Sequence, residues 1–294
     1  MSQAAFKGAL VTRRTVDFKP LRSRGRAIVK PRREELEAKI TELQHNYAEL
    51  HTEVFEAAQV HRRMCAPRLV RQGNFDIASE IFAVRHLPGD FFTVTPTTAG
   101  VILSLGDISG KGLAAGMWTT HLVGLLGARG AVFTEPESIV SGVNRDVCLM
   151  SPLVPLASLF VARLDTETGK FEYCSAGHPP ALLLRANGKL ELLSDGGLLL
   201  GVKAGAPYVR GCVQLEAGDV LLAYSDGVLE SMNRADEEFG AGRIEEHLRR
   251  AAHDSASAEE VLFSVLGAVQ DFASARPIVD DMSLVIVRGS STGQ

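Results

Sequence analysis

Aspartates set beside glycine or at strand ends carry the chemistry legible in this chain. Four such points stand out: Gly89-Asp90, Gly106-Asp107, Asp226-Gly227 and Asp280-Asp281. An aspartate is short and its carboxylate offers two hard oxygen acceptors, so several converging aspartates suit magnesium or manganese. A neighbouring glycine lets the backbone turn sharply or approach an ion closely. Taken singly, each pair reads equally well as a turn. Arg85 lies five residues before Asp90 and carries a guanidinium fork suited to a phosphate. A surface arginine on a strand gives the same signal. His178, ahead of Pro179-Pro180, has two readings: an acid to a leaving oxygen, or a hydrogen-bonded histidine fixing a loop.

Spacing excludes several alternatives. Gly106 and Gly110 enclose three residues where a P-loop needs four, and Lys111 is followed by Gly112 rather than Ser or Thr. The chain has no Gly-x-Ser-x-Gly elbow, no paired-histidine zinc motif and no cysteine nucleophile signature. Its four cysteines (Cys65, Cys148, Cys174, Cys212) are scattered, so no disulfide framework is implied and a reducing cytoplasm is the expected location.

The elements that must position these side chains follow from periodicity. Strands are expected over 77–84, 91–95, 101–106, 156–164, 170–175, 181–185, 189–193, 208–215, 220–224 and 282–287. Helices are expected over 112–131, 138–150, 243–252 and 258–273. Hairpins dominate and βαβ alternations are few. The expected class is therefore α+β: an antiparallel β-sandwich with helices packed outside it, in αββα order.

Outside residues 74–288 the chain changes character. Residues 1–33 hold ten Lys/Arg against the single acid Asp17, a charge of +9 that leaves −13 for the remainder of a chain of net −4. This basic arm reads as flexible and solvated. It lacks the interleaved aromatics of a nucleic-acid binder, and no specific nucleic-acid recognition is expected. Residues 34–66 read as a coiled-coil or linker helix. Leu36, Ile40, Leu43, Tyr47, Leu50, Val54, Ala57, His61 and Met64 step by four and three in alternation, a heptad seam with only His61 polar. That period predicts a parallel homodimer through residues 34–66, the competing reading being one amphipathic helix packed on its own domain. Residues 289–294 form a polar tail. Composition is that of an ordinary globular chain, 46% hydrophobic and 22% charged. No apolar run reaches the length of a membrane span.

The segment Leu105-Gly106-Asp107-Ile108-Ser109-Gly110-Lys111-Gly112-Leu113-Ala114-Ala115 resembles the hallmark of the metal-dependent protein serine/threonine phosphatases of the PPM, or type 2C, superfamily. The resemblance is to the bacterial branch of the sporulation stage II E protein and the stress sigma-factor regulators. Four more segments match that branch in order: Pro88-Gly89-Asp90-Phe91-Phe92, Ala176-Gly177-His178-Pro179-Pro180, Tyr224 through Glu230, and Asp280-Asp281-Met282-Ser283-Leu284. Pro88 stands where the branch usually has Gly, and Phe92 where it usually has Tyr. The resemblance implies two divalent metal ions, Mn or Mg. Asp107 corresponds to a carboxylate bridging both, the carbonyl of Ile108 to a ligand of the second, and Asp226 with Asp280 to ligands of the first. Asp281 is the alternative to Asp280. Asp90 corresponds to the acid that holds a water on the metal.

Two ions a few ångströms apart would clamp phosphoryl oxygens and activate water without a phosphorylated enzyme. The implied activity is hydrolysis of phosphoserine or phosphothreonine on a regulatory protein. The implied partner is an anti-anti-sigma factor of STAS type in a partner-switching pathway. The rival reading is a coil-mediated regulatory scaffold that keeps the fold without the chemistry.

Overall fold

The computed structural model describes residues 33–64, 69–150, 155–255, 257–274 and 276–290. The basic arm expected over 1–33 lies outside the described residues but for Arg33, as does most of the tail. The chain divides into two compact units, 1–50 and 51–294, and the division falls within the first helix.

The helices are α1 (Arg33–Met64), α2 (Leu113–Gly130), α3 (Pro136–Met150), α4 (Asp226–Leu229), α5 (Gly240–Asp254) and α6 (Ala258–Ala273). The strands are β1 (Leu69–Gln72), β2 (Phe75–Phe82), β3 (Phe91–Thr97), β4 (Gly100–Ile108), β5 (Ala157–Asp165), β6 (Lys170–Ala176), β7 (Ala181–Leu184), β8 (Leu190–Leu193), β9 (Gly196–Gly197), β10 (Gly211–Gln214), β11 (Val220–Tyr224) and β12 (Met282–Gly289). One sheet runs β1-β2-β12-β11-β7-β8. The other runs β10-β6-β5-β4-β3, with β9 added parallel to β6. Apart from that short addition and an isolated parallel bridge, Leu159↔Gly177, the pairings among the described residues are antiparallel.

Period-2 alternation gives each central strand two apolar faces. On β4, Val101, Leu103 and Leu105 point between the sheets, where they meet Phe160, Phe171, Leu183, Leu221, Val285 and Val287. The opposite face of that sheet carries Ile102, Leu159, Val161 and Cys174, covered by Leu122 and Leu126 of α2 and Ile139, Val143 and Val147 of α3. The outer face of the first sheet is covered in the same way by Ile244 and Leu248 of α5 and Val261, Val265 and Val269 of α6. α6 starts on a capping residue, Ser257, whose hydroxyl accepts from Glu260 N at 3.2 Å. The four layers are helices, sheet, sheet, helices, as expected.

Three expectations are corrected. β2 ends at Phe82, so Arg85 stands on the loop that follows rather than on a strand. The strand expected over 208–215 contracts to Gly211–Gln214. β1, which precedes the domain start expected at residue 74, is hydrogen-bonded to β2 from Leu69↔Ala78 to Gln72↔Phe75.

Within 33–50 the seam is uncovered: Leu36, Ile40, Leu43, Tyr47 and Leu50 are 47–70% exposed. The end of α1 in the second unit follows the heptad only in part. There the seam residue His61 is buried together with Ala58, which lies off the seam, and the seam residue Ala57 is exposed. Both ring nitrogens of His61 lack a hydrogen-bond partner, and burial lowers its pKa. Among the described residues no helix is long and apolar enough to cross a membrane.

Candidate functional site

One end of the sandwich gathers the four acidic points. The pairings Phe82↔Met282 and Tyr224↔Leu284 in one sheet, and Phe91↔Gly106 in the other, are the last rungs at that end. Beyond them run the loop 83–90, the loop 109–112, the start of α4 and the approach to β12. Each holds at least one residue of the expected site or its immediate neighbour.

Asp107 and Ile108 close β4. Asp107 is held by pairing with Ser158, and the Ile108 side chain is buried under the outer helices. Burial pushes the Asp107 carboxyl up to about 6, with further upward pressure from the charges of Asp226, Asp280 and Asp281. The Asp226 carboxyl is raised as well, first by desolvation and then by Asp280. Asp90 is 2% exposed, and Ser283 Oγ donates to its Oδ2 at 2.7 Å. Burial, then the charge of Asp107, raises the Asp90 carboxyl well above the ordinary range. Three carboxyls are thus raised together because each is desolvated and lies in the negative field of others.

The last aspartate pair divides its work. Asp281 is buried, and both oxygens are taken: Oδ1 accepts from Val84 N and Oδ2 from Gly89 N, each at 2.8 Å. It closes the loop that delivers Asp90. Asp280 is half-exposed and turns outward, its Oδ2 accepting from Lys111 Nζ at 2.7 Å. The same ammonium donates to the carbonyl of Val279 at 2.8 Å.

Close backbone approaches make this geometry possible. A Cβ at Gly227 would stand 2.0 Å from the Asp281 carbonyl oxygen, so α4 reaches the Asp280-Asp281 segment only with glycine there. A Cβ at Gly116 would stand 2.6 Å from Leu87 Cβ. This lets α2 press on the Asp90 loop, where Thr119 Oγ1 also donates to Gly89 O at 3.0 Å. A Cβ at Gly89 would meet the Ile108 carbonyl oxygen at 3.1 Å and Asp107 Oδ1 at 3.3 Å, which places the Asp90 loop against the end of β4.

The donors present fit hard divalent cations: carboxylates and a backbone carbonyl, with surplus negative charge among them. Among the described residues, however, no three His, Cys, Asp or Glu side chains close on a common point as they stand.

The remaining expected residues separate. Arg85 is exposed, and a Cβ on Gly112 would lie 3.3 Å from its Nη1, so the guanidinium sits over the loop that follows Ile108. His178 is corrected. It is buried, with Nδ1 2.7 Å from Ser158 Oγ, and its other ring nitrogen faces the Tyr224 backbone without a well-formed hydrogen bond. Desolvation drops its pKa to about 3. A buried imidazole that is neutral at neutral pH is a weak acid, and its contacts with Ser158 of β5 and the Tyr224 backbone of β11 make it a strut between the sheets. Phe92 is buried in the inter-sheet core, where a hydroxyl would need a partner. Ser225, Ser283, Thr119 and Lys111 all shape this end. Ser225, Ser283 and Lys111 lie inside the matched motifs and Thr119 does not; no local signal marks the pairing of Lys111 with Asp280 across 169 positions.

A four-layer αββα sandwich of this kind is the fold of the PP2C-type phosphatase domains. A family model described as Stage II sporulation protein E (SpoIIE) matches residues 97–289, and the chain belongs to that family. It is 23% identical over 247 residues to phosphoserine phosphatase RsbU of Bacillus subtilis (strain 168), covering 82% of this chain and 71% of the relative. Among solved structures it resembles the SiaA-PP2C domain of Pseudomonas aeruginosa, with TM-score 0.71 and 16% identity over 83% of this chain and 98% of that one. It also resembles the SpoIIE PP2C phosphatase domain with a regulatory fragment from Bacillus subtilis, with TM-score 0.64 and 17% identity over 74% of this chain and 64% of that one. The structural likenesses bear on the fold.

Proposed function

We propose that this metal-dependent phosphatase domain hydrolyses phosphoserine or phosphothreonine on a regulatory protein, using two divalent cations, Mg or Mn. The observation that carries the reading is the gathering of Asp107, Asp226 and Asp280 with the Ile108 carbonyl at one end of the sandwich, the Asp107 and Asp226 carboxyls being raised by burial and by their acidic neighbours. Asp107 would bridge both ions, the Ile108 carbonyl would serve the second, and Asp226 and Asp280 the first. Bound there, the ions would neutralise the phosphoryl charge and supply an activated water.

The chain's own residues do the rest. Asp281 and Ser283 fix the loop and carboxyl of Asp90, which would hold the attacking water in line. Arg85 presents a fork to the phosphoryl oxygens. The half-buried carboxylates keep competing anions out until cations compensate them. All the candidate acids are present beside Pro88 and Phe92, which weighs against the scaffold reading.

In finer detail, the proposed substrate is a STAS-type anti-anti-sigma factor whose dephosphorylation releases a sigma factor in the cytoplasm. The proposed active form is a homodimer paired through residues 34–66. The test is manganese-dependent turnover of p-nitrophenyl phosphate and of a phosphorylated STAS protein. Both should vanish with chelator and in Asp107→Asn. Turnover unchanged by Asp107→Asn would overturn the metal assignment. A STAS phosphoprotein left intact while the small ester is cleaved would overturn the substrate.

A further inference from the structure

Beside the carboxylate end, within residues 51–294, lies an open cavity of about 500 Å³ whose charged lining is basic throughout. Arg62 from the last turn of α1, Arg85 and His86 from the loop after β2, and Gly112 and Leu113 at the start of α2 surround it. Val54 and Leu87 supply apolar wall, and among the described residues no carboxylate lines it. This is the reverse of the rest of the molecule. Beyond the arm, the chain carries a surplus of thirteen acids, yet neither Arg62 nor Arg85 forms an ion pair with a described residue. His86 is held in place edge-on against His51, with ring centroids 5.1 Å apart. The 18-residue helix α2 begins here without a side-chain cap, so its first amides add positive potential to the same wall.

The cavity and the carboxylate end share one boundary, the segment 110–112. Lys111 from that segment faces Asp280, and Gly112 faces the Arg85 guanidinium. A phosphoryl group at the carboxylate end within reach of Arg85 would leave Arg62 and His86 over the neighbouring part of the same polypeptide. Two arginines and an imidazole without counter-ions match a second anion there. The carboxylates exclude a substrate of indiscriminate negative charge, so the second anion must be local and next to the phosphorylated residue.

We propose that this cavity is a specificity site. It takes an aspartate or glutamate flanking the phosphoserine or phosphothreonine of the protein substrate, and Arg62 is its principal recognition residue. The inference rests on the phosphatase reading above and narrows its substrate class to phosphoproteins with an acidic neighbour at the modified residue. Arg62 binds the flank rather than the reacting group, so it sets selectivity between substrates.

The test compares kcat/KM for two phosphoserine peptides in manganese, one with aspartates flanking the phosphoserine and one with asparagines. Wild type should favour the acidic peptide by about tenfold, the scale of one charge-assisted hydrogen bond. The preference should fall toward unity at high salt. Arg62→Ala should remove it, and Arg62→Glu should reverse it in favour of a lysine-flanked peptide. Arg62 is exposed, so both variants should melt with the wild type. Equal rates on the two peptides in wild type, or a preference that survives both substitutions, would overturn the proposal. If wild type cleaves neither peptide nor p-nitrophenyl phosphate, the phosphatase reading falls first and takes this one with it.

Discussion

Lys111 places its ammonium 2.7 Å from Asp280 Oδ2, across 169 positions of sequence, and so holds a positive charge against a carboxylate proposed to bind a cation. The pair is nearly half-exposed, so its worth is small, about 0.2–1 kcal/mol. An incoming divalent ion competes with it for the same oxygen.

Lys111→Met should therefore tighten manganese binding by roughly two- to fivefold, the affinity equivalent of that energy. It should also lower the melting temperature of the chelator-treated protein slightly, since Asp280 then repels Asp226 without relief. Calorimetric titration with manganese measures the first effect. Weaker binding in the variant would mean that Lys111 assists the ion rather than competing with it.

Asp280 and Asp281 should respond differently to substitution. Asp281 satisfies two backbone donors, Val84 N and Gly89 N. Asp281→Ala leaves both without a partner and should cost on the order of 1–3 kcal/mol for each group that stays buried. Asp281→Asn keeps one acceptor oxygen and should cost distinctly less. Asp280→Asn should leave melting nearly unchanged and weaken metal binding at least tenfold. Urea unfolding and metal titration on the same three variants separate the two roles. A stable Asp281→Ala protein would remove the loop-closing assignment.

The raised carboxyls predict a pH dependence in the metal-free protein. The Asp107 carboxyl stands at about 6 in the folded chain and near its ordinary value when unfolded. The folded state therefore binds the proton more tightly. Its stabilising contribution is complete below the unfolded pKa and is lost as pH rises toward and through 6. Asp90 and Asp226 are raised as well and act with the same sign. In chelator, the stability of wild type relative to Asp107→Asn should fall between pH 4 and pH 7, and saturating magnesium should abolish the fall. A wild-type curve parallel to that of Asp107→Asn in chelator would contradict the shared negative field.

Much of this arrangement was legible because local and global signals agree. The apolar period of residues 258–273 matches α6 to the residue, and the run Val220–Tyr224 matches β11. The acids were found through their glycines and motif order. Other features have no local signature. β1 is four residues of Leu-Val-Arg-Gln, too short and polar to show alternation, and it exists because β2 offers it an edge. β9 is two glycines, which read as a turn. α4 is a single turn hidden in Ser-Asp-Gly. The fate of His178 depended on Ser158 and Tyr224 arriving from other strands, and burial, which a lone motif does not encode, set its charge.

The seam of α1 makes the last prediction. Leu36, Ile40, Leu43, Tyr47 and Leu50 stand open to solvent on one helix, and a lone helix of that kind is marginal in water because its apolar stripe needs a partner. The four-three spacing of these residues fits a second copy in parallel. Each leucine or isoleucine fully buried there would contribute about 1.5–3 kcal/mol before the cost of association. Past Val54, within the second unit, α1 already buries Ala58 and His61. The dimer should therefore depend on residues before that point. The full chain should scatter light as a dimer at tens of micromolar. Leu43→Asp with Leu50→Asp should give a monomer, since two unpaired carboxylates would be buried at the interface. That monomer should keep its manganese affinity, because Leu43 and Leu50 offer no oxygen donor to a cation. A wild-type monomer would remove the pairing, and a dimer that persists in the double variant would place the interface elsewhere on the chain.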